Sequence, residues 1–176
     1  VLTVDEETGM DGAMAIDLSL LQGRRMLNLD SEEEGILLTS CAGGARADVH
    51  IPVTYKNLEA AEEWISMELT VKGLTGGHSG TEIIREGGNA NCLLGRILYE
   101  AAQKCELCIS TMEGGLADNA IPREAKATIL VKEAEQEMMQ KEVAIIQEKI
   151  QTELGTKDPE VRIELVSTMD KLPAKV

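Results

Sequence analysis

The sequence contains no phenylalanine, one tryptophan and two tyrosines in 176 residues, a scarcity that nothing else in the chain accounts for. Basic residues are also few. Against 31 Asp and Glu there are 17 Lys and Arg, a formal net charge of −14. Such a balance repels phosphate backbones and anionic lipid, which argues against nucleic-acid or membrane partners and for small-molecule or protein ones. No apolar run approaches the roughly 18 residues that a membrane-spanning helix needs. The opening VLTVDEETG also lacks the basic stretch and apolar core of an export signal. Four cysteines, Cys41, Cys92, Cys105 and Cys108, are too few and too irregular for a disulfide framework at this length, so reduced thiols in a cytoplasm are expected. Cys105-Glu-Leu-Cys108 has redox or zinc spacing, yet it has no second cysteine pair and neither histidine lies near it. Both thiols are read as packing residues.

What the chain does have is enough length for one domain, or one domain and part of another. It has no initiator methionine and opens directly on an apolar stretch, as expected of a piece of something longer. Val1 to Val4 reads as a short strand entering the acidic turn Asp5-Glu-Glu-Thr-Gly9. A helix carrying Met14, Ile16, Leu18, Leu20 and Leu21 follows, and Arg25 to Leu29 makes a second strand ending at Asp30. Two acidic clusters would then lie at the C-terminal ends of two strands, where open α/β sheets hold their ligands. Gly43-Gly44 reads as a hinge, and Asp48-Val-His-Ile-Pro52 as strand-like.

From Trp64 the pattern changes. Ile65 to Val71 alternates as a strand, and Leu93, Leu94, Ile97, Leu98 and Ala101 form a helical stripe. Strands at Leu107–Thr111 and Ala125–Val131 follow, then a helix through Met139, Val143, Ile146 and Ile150, then a strand at Val161–Val166. The order β-α-β-β-α-β predicts a ferredoxin-like α+β unit with a sheet edge suited to a second copy. Met138, Met139 and their neighbours are expected in a core or an interface.

Glu6 and Glu7 are adjacent carboxylates. In an extended turn they would point in opposite directions, so that one could hold a metal while the other faces its bound water. Gly76-Gly-His-Ser-Gly80 invites a hydrolase reading, but Ser79 is followed directly by Gly80 and the G-x-S-x-G elbow fails. The Ser31-Glu-Glu-Glu34 run lacks the alternating oxygen ligands of a calcium loop and reads as a solvated turn. His50 is read as structural.

Several stretches together, Thr3-Val-Asp-Glu-Glu-Thr-Gly-Met-Asp-Gly-Ala13, Asn28-Leu-Asp-Ser-Glu-Glu-Glu-Gly35, Asn89-Ala-Asn91 and Asn119-Ala-Ile-Pro-Arg-Glu-Ala125, resemble the M20 metallodipeptidases of the aminoacyl-histidine (Xaa-His) type. The resemblance implies an α/β fragment of a zinc-peptidase catalytic domain over 1–43. An incomplete ferredoxin-like lid and dimerisation domain would follow over 44–176. It implies a cytoplasmic homodimer that hydrolyses dipeptides by a zinc-activated water, with two zinc ions per full-length subunit and Co2+ or Mn2+ as substitutes. On that likeness Glu6 is the general base, and Glu7 and Asp30 each ligate one metal. His78 stabilises the oxyanion and Asn119 holds the substrate; the Gly43-Gly44 hinge and the pairable sheet edge lead us to expect His78 to act in trans, from the lid of one subunit into the site of its partner.

The sequence departs from the family in its histidines. The family uses a His on each metal, and His50 and His78 cannot supply that pair. The chain alone is therefore expected to be inactive. The alternative is a non-catalytic ferredoxin-like module for dimerisation or regulation. The succession Glu6, Glu7, Asp30, His78, Asn119 favours the enzyme, because a pairing module has no need of those side chains.

Overall fold

The structure is a computed structural model that describes residues 1–29, 34–40, 45, 47–57, 63–168 and 176. The chain divides into two units, Val1–His50 and Ile51–Val176.

The first unit differs from the sequence expectation. Its described residues form two single-turn helices, α1 (Glu6–Gly9) and α2 (Asp11–Met14), and a 3₁₀ turn at Leu18–Leu20. Neither expected strand forms. Strand backbone must exchange hydrogen bonds with a neighbouring strand, and the described residues of this unit contain none. The Val4 carbonyl instead accepts the Gly12 N–H at 3.2 Å. The expected helix through Leu21 is interrupted after Met14, and Met14, Leu18 and Leu20 are exposed, so no apolar stripe is buried to sustain it. Residues 48–52 are irregular rather than strand-like, and His50 is exposed. Asp30, Ser31–Glu33 and the Gly43-Gly44 hinge lie outside the described residues.

The second unit follows the expected order. Strand β1 (Trp64–Lys72) leads through a two-residue strand β2 (Gly77–His78) to helix α3 (Ala90–Ala101). Then come β3 (Leu107–Gly114), the short β4 (Ala120–Ile121), β5 (Ala125–Lys132), α4 (Gln136–Leu154) and β6 (Arg162–Ser167). The four long strands form one antiparallel sheet in the order β3-β5-β1-β6. This is the β-α-β-β-α-β topology read from the sequence.

Period-two and helical patterns meet in one core. Met67, Leu69 and Val71 of β1 and Ala127, Ile129 and Val131 of β5 fall on one sheet face, against Leu94, Ile97 and Ala101 of α3 and Met139, Val143, Ile146 and Ile150 of α4. Met139 is fully buried while Met138 next to it is half exposed. A smaller cluster gathers Trp64, Cys108, Leu130 and Val176. The two cysteines of the C-x-x-C pair are thus divided, Cys105 in the main core and Cys108 in the small cluster. Burial, reinforced by the charges of Glu135 and Glu142, pushes the Cys105 thiol above its ordinary range.

Polar contacts fix the two helices to each other and start the first of them. Asn89 caps α3, its side-chain oxygen accepting the N–H groups of Asn91 and Cys92 at 3.0 and 3.2 Å. Arg96 of α3 makes a two-pronged ion pair with Glu153 of α4 at 2.6 and 2.9 Å, and Glu100 joins Arg96 to Lys149. The backbones of Lys56 and Val176 exchange two hydrogen bonds, at 2.7 and 3.1 Å. The two ends of the second unit therefore lie side by side.

Candidate functional site

Leaving β1, the chain reaches Gly76 and Gly77, both with positive φ. A side chain at Gly77 would be strained in that conformation, and a Cβ there would come 2.5 Å from a carboxylate oxygen of Glu82. That carboxylate is close because its Oε2 accepts the His78 N–H at 2.8 Å. The Glu82 N–H in turn donates to the His78 carbonyl at 3.0 Å, closing a tight turn around the histidine.

The turn also sets the imidazole. Nδ1 of His78 accepts the Gly80 N–H at 3.1 Å and, at longer range, the Thr81 N–H at 3.4 Å. A ring nitrogen that accepts amide hydrogens carries no proton, so the neutral ring bears its proton on Nε2. His78 is exposed. It presents a hydrogen-bond donor outward from a fixed turn.

Strand β2 pairs antiparallel with β4, Gly77 opposite Ile121 and His78 opposite Ala120. One position beyond, the Ser79 N–H donates to the Asn119 carbonyl at 2.8 Å. His78 and Asn119, 41 positions apart in sequence, thus sit on neighbouring arms of one ribbon. Arg123 anchors the ribbon, donating from Nε to the Leu74 carbonyl at 3.3 Å. Beside it lies an open concavity lined by Ser79, Asn89, Asn91, Leu116, Ala120 and Pro122, among others. The Ala90 N–H donates to the Pro122 carbonyl at 3.0 Å, which ties the start of α3 to the same wall.

The other expected site residues lie in the first unit. Glu6 is exposed at the start of α1, and Glu7 follows in the same turn. The backbone there is helical rather than the extended turn expected from the sequence. Asp5 and Met10, which flank α1, both have left-handed backbone. This is uncommon for non-glycine residues, and for Met10 no short polar side chain eases it. Asp30 is outside the described residues. Among the described residues no group of three or more His, Cys, Asp or Glu is gathered as a metal would require. They do not make up a metal centre by themselves.

One contact and one role are not evident in the sequence: Glu82 at the histidine turn, and helix capping by Asn89, a residue already noted within a stretch that resembles the family. Glu82 holds the histidine turn, and its signal is an acid four positions after a histidine in a glycine-rich stretch. Asn89 is the helix cap, recognisable as an Asn immediately before an apolar helical stripe.

Residues 63–159 match the family model described as the peptidase dimerisation domain of the M20 peptidases. The chain belongs to this M20 family. It is 39% identical over all of its 176 residues to the cytosol non-specific dipeptidase of Escherichia coli K12, and covers 36% of that protein. The crystal structure of the aminoacylhistidine dipeptidase from Vibrio alginolyticus superposes with a TM-score of 0.74 at 32% identity, over 99% of this chain and 35% of that one. A hydantoinase/carbamoylase family amidase from Burkholderia ambifaria shares the fold alone, at a TM-score of 0.50 and 11% identity over 62% of this chain and 29% of that one. The chain therefore spans about a third of the length of its dipeptidase relatives. The M20 dimerisation domain accounts for the second unit: an α+β fold with a four-stranded antiparallel sheet and two long helices.

Proposed function

We propose that this chain supplies the lid and dimerisation domain, together with a stretch of the catalytic half, of a metal-dependent dipeptidase whose substrates include Xaa-His dipeptides. The observation that carries the reading is the His78 turn: an imidazole whose Nδ1 is occupied by backbone N–H groups, exposed beside Asn119 on one ribbon. A pairing module has no use for an imidazole oriented in this way.

In this reading Nε2–H of His78 donates to the oxyanion that develops on the scissile carbonyl, and Asn119 holds the substrate's carboxylate or backbone. Glu6 takes the proton of the attacking water. Glu7 and Asp30 each offer one carboxylate to a metal, zinc being the expected ion, and the remaining ligands come from parts of the enzyme not represented in these 176 residues. The described residues assemble no such centre by themselves.

The enzyme would act as a homodimer. Strands β3 and β6 are the two edges of the sheet, and an unpaired edge is a template for another strand. The adjacent ends of the second unit, at Lys56 and Val176, suit a domain inserted into another. A lid of this kind can carry His78 over the neighbouring subunit's cleft.

The test mixes two inactive full-length variants, Glu6→Ala and His78→Ala, under conditions of subunit exchange. Regained turnover is expected, because each mixed dimer joins a sound base from one chain to a sound histidine from the other. A mixture as inactive as its components would rule out action in trans.

A further inference from the structure

Asp158 is 1% exposed, the most deeply buried charged side chain among the described residues. It lies in the turn after α4, its own N–H bonded to the Leu154 carbonyl at 2.7 Å. The helix dipole disfavours a carboxylate there, and burial of a charge is costly unless hydrogen bonds replace its water. Two do so. Oδ1 accepts the Thr75 N–H at 2.7 Å and Oδ2 accepts the Gly88 N–H at 2.6 Å.

Thr75 and Gly88 bracket the segment that carries His78. Between them regular structure is limited to the two-residue β2, held by its pairing with β4, and one 3₁₀ turn, Ile83–Arg85, so the two ends of the segment need a tie of their own. The stem is closed elsewhere as well: a Cβ at Gly88 would meet side-chain carbons of both Leu74 and Leu154 at 2.8 Å. We propose that Asp158 is a positioning residue for His78, its single carboxylate gathering both ends of the 75–88 loop so that the imidazole is presented at one place. The link to turnover rests on the function proposed for His78 above; the clasp itself does not.

Asp158→Asn keeps the volume but sets an NH₂ against one of the two N–H donors. Amide hydrogen exchange on the 176-residue chain should show protection at Thr75 and Gly88 falling roughly 10- to 100-fold, the scale of one lost charge-assisted bond. Amides of β1 and β5 should fall less. Equal loss throughout the second unit, or no loss at Thr75 and Gly88, would overturn the clasp. In the full-length enzyme the variant should lower kcat with little change in KM, as expected when only a transition-state contact is disturbed. Adding Asp158→Asn to His78→Ala should then slow turnover no further, because both changes act through one group. Multiplying losses would overturn the positioning role. Wild-type kcat in His78→Ala would instead remove the proposed function, and the exchange data would decide the clasp alone. Should Asp158→Asn not fold, Asp158→Ser keeps one acceptor without an opposed donor and carries the same expectations.

Discussion

The backbone N–H of Ser79 donates to the carbonyl of Asn119 at 2.8 Å, one position past the pairing of His78 with Ala120. Two segments that sequence separates become one surface, and each side chain assigned to substrate sits on it. The first expectation follows. In the full-length dipeptidase proposed above, His78→Ala should cut kcat about 10²–10³-fold, the loss typical of one oxyanion donor. Metal content by atomic absorption should not change, because the role proposed for the imidazole is donation to the oxyanion and not metal binding. A loss of metal that parallels the loss of turnover would show the assignment to be wrong.

Glu6 and Glu7 share one turn of α1 but are assigned different work. Glu6→Gln should retain metal and lose about 10²–10⁴ in rate, the usual contribution of a general base. Glu7→Ala and Asp30→Ala should lose metal first. Metal stoichiometry measured beside kcat separates the two cases, and near-normal kcat in Glu6→Gln would reassign the base.

Acid should weaken the loop stem before it weakens the sheet. Burial raises the Asp158 carboxyl, but the hydrogen bonds from Gly88 and Thr75 outweigh it and hold the group below the ordinary 3.8. A depressed folded pKa contributes stability that is present above the unfolded value and lost as pH falls through the folded one. The stability difference between the wild-type chain and Asp158→Asn should therefore be constant from neutral pH to about 5 and shrink below about 4. Urea midpoints across that range would measure it. A difference that persists undiminished down to pH 2 would mean that the native carboxylate is not the group being titrated.

Legibility from sequence followed the length of the pattern. Strand β1 alternates in sequence from Ile65 to Val71, and α3 and α4 carry apolar stripes over three turns or more, so each was readable without its neighbours. The β2–β4 ribbon is two residues on each side, too short for any period, and it exists because Gly76 and Gly77 allow the backbone to turn and Asn119 offers a carbonyl. Asp158 looks like any acid in a turn, and only its two distant N–H partners distinguish it. The two misread strands of the first unit are those where the apolar residues of 1–4 and 25–29 resembled strands. Their side chains are exposed, with no neighbouring strand among the described residues of that unit.

The same burial pattern predicts which apolar residues hold the second unit together. Ile97 is fully buried between α3 and the sheet, whereas Ile145 on α4 is 48% exposed. Removing three carbons from Ile97 leaves a cavity that close-packed neighbours fill only in part, so Ile97→Ala should cost about 2–5 kcal/mol. Ile145→Ala leaves no cavity, and alanine's higher helix propensity offsets part of the lost contact, so its effect should stay within about 0.5 kcal/mol. Denaturant titrations of the two variants, read at unchanged m-value, give the comparison directly. Equal losses would mean that Ile145 is covered in solution, and the sheet-and-helix core would then not be the whole of what holds this unit; a larger loss at Ile145 would point to a second copy packed on α4.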